Sequence, residues 1–252
     1  MKLAVIILSC DKYQAFWKIS TARLTKHWVN FPGKKYLLTN YLAPEFDEVK
    51  VLAIGEDSDW SSNLILALKQ VQEDYIILLF EDAILCTDVS ETQFLGILDL
   101  VENGDISYVN LKGNPVPRGK RRLGSLREIP PGTHYRASLA NSIWKKTILE
   151  SLLLSGESAW AFEINASDRA NSYEGFFGLS EPLFEIQHCL IRGRMPRRIY
   201  NQLKASDELP KQGFARLTYI EDLMHSISIM RNKLFVTITP PSVQQKVRRL
   251  FK

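Results

Sequence analysis

The chain has 252 residues, 45% of them hydrophobic and 24% charged, with a formal net charge of +4. These proportions exclude a disordered or low-complexity chain and allow one large α/β domain, or such a domain with a helical appendage. Cys10, Cys86 and Cys189 lie far apart without metal-ligand spacing, which excludes a disulfide framework and predicts ordinary thiols in a reducing compartment.

The first element is the apolar run Leu3-Ala-Val-Ile-Ile-Leu8. It is too short for a membrane span, which takes about 20 residues. Cys10-Asp11-Lys12 follows in place of a small-residue cleavage site, so the run is expected to be a buried first strand rather than a signal peptide. Residues 13–28 carry apolar side chains at helical spacing, and residues 35–38 and 49–53 read as short strands. Asp59 or Ser61 caps a helix through residues 63–69. Tyr75-Ile-Ile-Leu-Leu-Phe80 is a strand buried on both faces. A helix from Ser90 to Val101, ended by Asn103-Gly104, and a strand over 106–111 complete a βαβ pattern. The order predicts a Rossmann-like, mostly parallel sheet covered by helices.

Between residues 112 and 133, glycines, prolines and basic residues interrupt any regular element. A loop of this length in a compact domain is either functional or a mobile insertion, and its place after a central strand favours an active-site loop. Residues 135–144 read as a strand turning into a helix near Asn141 or Ser142, and Ser158 caps a helix carrying Trp160, Phe162 and Glu163. A returning strand over 183–191 carries His188, and a helix follows near 217–229. An apolar stretch at 234–238 and Pro240-Pro241 precede a basic amphipathic helix from Ser242. The expected division is a catalytic domain over 1–195 and a small helical extension over 196–252.

The chemistry is concentrated at Glu81-Asp82, directly after the apolar strand. Neither carboxylate can be buried unpaired without a cost of several kcal/mol. At the carboxyl edge of an open α/β sheet, such a pair suits a divalent metal that holds a pyrophosphate. The plainer reading is a strand meeting solvent. Basic clusters at 118–122, 192–198 and 246–252 fit phosphorylated ligands or anionic lipid. No nucleic-acid module is recognisable among them, so nucleic acid is not an expected partner.

Four segments together carry a family resemblance: Leu8-Ser-Cys-Asp11; Asp59-Trp-Ser-Ser-Asn-Leu-Ile-Leu-Ala-Leu68 ahead of Phe80-Glu-Asp82; Ser142-Ile-Trp144; and Ser158-Ala-Trp-Ala-Phe-Glu163. Over roughly residues 1–194 the chain resembles small bacterial sugar transferases of the GT-A, nucleotide-diphospho-sugar transferase fold, which serve capsule, exopolysaccharide or lipopolysaccharide synthesis. The resemblance implies a nucleotide-sugar donor, a glycan or lipid-linked acceptor, and a divalent metal, Mn or Mg. It places Ser9 and Asp11 at the nucleotide and Glu81 and Asp82 at the metal. The family pattern is two aspartates separated by one residue; here the two acids are adjacent and Ala83 follows, so metal-independent action is also open.

The resemblance further implies Glu163 as base on the acceptor hydroxyl, with Glu157 and Asp168 as weaker candidates and a helix-capping role as the alternative. His188 is open to two readings, metal or diphosphate ligand and satisfied core histidine. Arg192 and Arg194 suit the diphosphate, Arg136 an acidic sugar, an acceptor phosphate or a salt bridge, and Trp60, Trp144 and Trp160 either sugar stacking or core packing. Trp60 is assigned to the donor and Trp160 to the acceptor. Residues 242–252 place Val243, Val247, Leu250 and Phe251 near one face amid Lys246, Arg248, Arg249 and Lys252. That pattern fits an anionic membrane surface as well as a packed helix. A cytoplasmic protein, peripheral on the inner face of the cell membrane, is expected.

The expected reaction is inverting, metal-assisted sugar transfer with Glu163 as base. A sugar nucleotidyltransferase would carry a glycine-rich loop after the first strand, and Ser9-Cys-Asp-Lys12 has no glycine. A non-catalytic scaffold of a polysaccharide assembly complex is the rival from another class, supported by the irregular acidic pair.

Overall fold

Every residue of β1 (Leu3–Leu8) is buried. Leu3, Val5 and Ile7 enter one hydrophobic core, and Ala4, Ile6 and Leu8 enter a second. Successive side chains of a strand point to opposite faces, so a strand apolar at every position must be covered on both. The computed structural model describes residues 1–113, 117–211 and 213–238.

A 3-10 turn over Asp11–Phe16 leads into α1 (Trp17–His27), followed by β2 (Lys34–Thr39), β3 (Val49–Ala53), α2 (Trp60–Gln70) and β4 (Tyr75–Phe80). Next come β5 (Ala83–Leu85), α3 (Glu91–Asn103), β6 (Tyr108–Asn110), β7 (Arg122–Leu123) and β8 (Leu126–Glu128). The first unit continues with β9 (Ser142–Lys145), α4 (Lys146–Leu152), α5 (Ala159–Arg169) and β10 (Phe176–Gly178), and ends within β11 (Ile186–His188). The second unit, His188–Lys252, holds α6 (Arg197–Ala205) and α7 (Tyr219–Ile238). The division thus falls at 187/188, against 195/196 in the sequence reading.

Among the described residues the main sheet has the order β3-β2-β1-β4-β9-β6-β10-β8-β7. The β3-β2-β1-β4 half is entirely parallel. Strand β9 runs antiparallel between β4 and β6, and β10 returns parallel to β6. The protein is a mixed α/β fold with a large, mostly parallel sheet flanked by helices. Trp17, Leu24, Phe94 and Val101 from α1 and α3 pack on one face; Leu64, Leu68, Leu149 and Phe162 from α2, α4 and α5 pack on the other.

Three readings of the sequence change here. Residues 142–145 form a strand rather than a helix start, because Ser142, Ile143 and Trp144 pair with both β4 and β6; the helix begins at Lys146. The interval 112–133 is not structureless: β7 and β8 make a hairpin that extends the sheet through β10. The helix expected near 217–229 and the apolar stretch after it are one helix, α7, running to Ile238. The basic helix expected from Ser242 lies outside the described residues.

Candidate active site

The carboxyl ends of β1, β2, β4 and β6 meet at one edge of the sheet, and loops there gather the polar residues. Asp11, after β1, spans to the end of β2: its Oδ1 accepts from the Asn40 N–H at 3.0 Å, and its Oδ2 from Tyr41 and Leu42 N–H at 3.0 and 3.1 Å. Asp11 N–H donates in return to Asn40 Oδ1 at 3.0 Å. Ser9 Oγ accepts from the buried Trp17 indole N–H at 2.7 Å. Both predicted donor residues therefore brace the loop that overlooks the edge.

Glu81 and Asp82 form the turn between β4 and β5, with the Glu81 N–H donating to Leu8 O at 3.3 Å. Glu81 is buried at 8% exposure while Asp82 is half-buried. Burial and, second, the charge of Asp82 push the Glu81 carboxyl up to about 8. Cys10 is drawn into the same field: burial raises its thiol, and Asp57 and Glu81 add to that.

Two adjacent carboxylates, one buried and one half-buried, have the donor chemistry of a divalent-cation site, and their oxygens suit Mg or Mn. Among the described residues no group of three or more His, Cys, Asp or Glu could hold a metal by itself. The remaining coordination positions would fall to water and phosphate oxygens.

Glu163 is brought to the same edge from α5. Ser158 caps that helix, its Oγ accepting from the Ala161 N–H at 3.2 Å. Glu163 Oε1 accepts from Ser138 Oγ and from the Leu139 N–H, both at 2.9 Å. Ser142 Oγ fixes the same segment by donating to the Ser138 and Leu139 carbonyls at 3.0 and 2.6 Å. Asn141 then joins the segment to β4 through an N–H···O bond to Leu78 at 3.0 Å. No hydrogen bond from the described residues reaches Glu163 Oε2. Lys112 follows β6 by two residues; burial lowers its pKa and the Glu163 charge opposes that. The chemistry available is a carboxylate with one oxygen pinned, at the sheet edge that also carries the acidic turn.

Buried polar atoms without partners collect at this edge. Thr39 Oγ1, Asn40 Nδ2 and both side-chain polar atoms of Asn141 make no hydrogen bond with the described residues. Asn141 also adopts φ 55°, a left-handed conformation that asparagine tolerates better than most residues. Ser138, Asn40, Asn141 and Lys112 were not singled out from sequence as site residues. Only a polar residue directly after an apolar strand, as at Asn40, gives any signal there.

The other predicted residues are placed differently. Trp60 opens α2 and packs on Phe162, ring centroids 5.5 Å apart, while Trp144 is buried beside Tyr108. Trp160 is 67% exposed in the first turn of α5. Arg136 is buried, and its guanidinium donates to the carbonyls of Ile129, Ala170 and Tyr173 and lies over the Phe176 ring. Those donors face backbone. Glu157 is held by Arg169 at 2.7 Å. His188, Arg192 and Arg194 belong to the second unit. There His188 and Arg192 are exposed and Arg194 pairs with Glu221. A surface depression of about 610 Å³ lies at the opposite edge, lined by Phe31, Lys35, Phe46, Glu48 and Val49 among others; no predicted site residue borders it.

No family model matches the chain, and no curated protein matches its sequence. Among solved structures it is similar to S. aureus TarS 1-349 in complex with UDP-GlcNAc, at 15% identity and TM-score 0.49, covering 73% of this chain and 57% of that one. The UDP complex gives 15% and 0.49 over 73% and 59%; S. aureus TarS itself gives 14% and 0.45 over 73% and 36%. The chain thus spans well under two thirds of each of these proteins.

Proposed function

We propose that this chain is a glycosyltransferase of GT-A architecture that moves a sugar from a nucleotide-sugar donor to a hydroxyl of a glycan or glycolipid, in bacterial surface-polysaccharide synthesis. The observation that carries the reading is Glu163: one oxygen is fixed by Ser138 and Leu139 and the other is open, at the sheet edge that also bears Glu81-Asp82.

The acceptor hydroxyl attacks the anomeric carbon and gives its proton to Glu163 Oε2. The new C–O bond forms as the bond to the diphosphate breaks, and configuration inverts. The Ser138 and Leu139 donors hold the carboxylate in place, and a base so positioned contributes typically 10²–10⁴-fold. A Mg or Mn ion held by Glu81 and Asp82, when bound, supplies charge neutralisation to the diphosphate leaving group. Ser9, Asp11 and Asn40 shape the loop beside the nucleotide, and the exposed Trp160 ring offers an apolar platform to the acceptor.

The test is thermal shift with a panel of nucleotide sugars, with and without Mn, on the native chain and on Glu81→Ala/Asp82→Ala. A bound donor at 100 times its Kd stabilises the native state by about 2.7 kcal/mol. A Mn-dependent shift for one donor, absent in the variant, is the expected result. Donor binding without hydrolysis or transfer to any acceptor would move the chain to the scaffold class. No shift with any donor would remove the nucleotide-sugar reading.

A further inference from the structure

Helix α7 exposes six large apolar side chains between residues 219 and 230. Tyr219, Ile220, Leu223, Met224, Ile227 and Met230 recur at the three- and four-residue spacing of one helical face. They are 51–75% exposed, with Tyr219 the most open and Ile227 the least. The polar side is the engaged one. Glu221 accepts from the Thr218 N–H at 2.7 Å and pairs with Arg194, and Glu221, Asp222 and His225 are only half-exposed. A surface helix ordinarily buries its apolar face, and a contiguous apolar patch marks an interaction site.

The charge distribution identifies what covers it. Glu221 and Asp222 stand in the first turn of α7, and no acidic residue follows from 223 to 252. That interval carries Arg231, Lys233, Lys246, Arg248, Arg249 and Lys252. Arg197 adds a cation at the start of the face, its guanidinium 3.7 Å from the Tyr219 ring centroid. An apolar helix face continued by a purely cationic segment is complementary to anionic lipid: acyl chains take the apolar side chains, and headgroups take the cations. Among the described residues no helix is long and apolar enough to cross a membrane.

We propose that α7, together with the cationic residues that follow it, docks on an anionic lipid surface through the face of Tyr219, Ile220, Leu223, Met224, Ile227 and Met230. The inference goes beyond glycosyl transfer and does not depend on it, since lipid partition requires neither donor nor acceptor.

The experiment is co-sedimentation of the full chain with vesicles of phosphatidylcholine alone, or of phosphatidylcholine mixed with phosphatidylglycerol. Two variants accompany it, Leu223→Ser/Ile227→Ser/Met230→Ser and Arg248→Gln/Arg249→Gln. The native chain is expected to partition onto the phosphatidylglycerol vesicles, weakly onto the neutral ones, and less at raised salt. Removing three exposed apolar anchors lowers partition roughly a hundredfold. Removing two cations lowers it roughly thirtyfold. The melting temperature of each variant is read in parallel. If the apolar variant does not fold, the charge variant and the salt titration of the native chain decide. No partition onto phosphatidylglycerol vesicles would overturn the proposal, as would equal, salt-independent partition onto both kinds. Sedimentation equilibrium showing a native oligomer that the apolar variant converts to monomer would give the face to a second copy of this chain instead.

Discussion

Glu73 and Glu81 stand at opposite ends of β4, both buried, 5% and 8% exposed, and the protein treats them in opposite ways. At the amino-terminal end, Glu73 receives Lys34 Nζ at 2.7 Å and the Tyr36 hydroxyl at 3.2 Å. Burial pushes its carboxyl up, but the Lys34, backbone and Tyr36 hydrogen bonds outweigh that and hold it below the usual range. At the carboxyl-terminal end, Glu81 has no such cation; burial and Asp82 push it up to about 8. One end has its buried polarity satisfied, while the other leaves Thr39 Oγ1, Asn40 Nδ2 and the Asn141 side-chain amide without partners among the described residues, at the edge that carries Glu81. Unsatisfied buried groups cost stability, and that cost is tolerable where a ligand completes the bonding.

The largest effect is expected at the unsatisfied end. Glu163→Gln keeps an oxygen for the Ser138 and Leu139 donors but offers no base. Turnover should fall 10²–10⁴-fold, with donor affinity, read by thermal shift, nearly unchanged. Native turnover in this variant would take Glu163 out of the mechanism.

Glu81→Gln tests the contrast directly through pH. The folded pKa of Glu81 is raised, so its contribution to stability is complete below the unfolded value near 4.5 and is lost as pH rises through about 8. In metal-free buffer the variant should match the native chain at pH 4 and exceed it at pH 8, by an amount on the order of a few kcal/mol. It should also lose the stabilisation that Mn and donor give. Urea unfolding across that range measures both. Equal stability of the two proteins at pH 8 would mean that Glu81 is not held out of ionisation.

Glu73→Gln should do the reverse and less. Its folded pKa is lowered, so its contribution is present above the unfolded value near 4.5 and disappears as pH falls through the folded value. The variant should be less stable at pH 7 by on the order of 1 kcal/mol, since Lys34 is 63% exposed and water screens the pair. The difference should vanish in acid.

The satisfied parts of the molecule were the legible ones. Continuous apolar runs made β1 and β4 readable as central strands, and Asp59 and Ser158 marked helix starts that the structure shows them capping. Strand β10, only 3 residues long, has too few positions to show a period, yet it joins β6 to the β8 hairpin. Ser142-Ile-Trp144 read as a helix start because a short apolar run does not declare its period; pairing on both sides decided it. Glu163 was legible through its tryptophan-bearing motif, whereas its clamp was not. Ser138 and Leu139 lie 25 and 24 residues away, and no local pattern connects them. The carbonyl partners of Arg136 were hidden for a related reason: they lie 7, 34 and 37 residues away.

The finest test compares two residues of a single strand, β2. Tyr36 donates its hydroxyl to Glu73, while Thr39, nearer the carboxyl end, buries an Oγ1 with no partner. Tyr36→Phe removes a bond that is made, so it should destabilise the ligand-free protein by about 0.5–1.5 kcal/mol. Thr39→Val keeps the shape and removes a group that only costs desolvation, so it should be neutral or stabilising by up to about 1 kcal/mol. If that hydroxyl is reserved for a ligand, Thr39→Val should also reduce the thermal shift produced by a bound donor, which Tyr36→Phe should leave intact. Loss of stability in both variants would show that the two ends of the strand are held alike, and that Thr39 is already satisfied in solution.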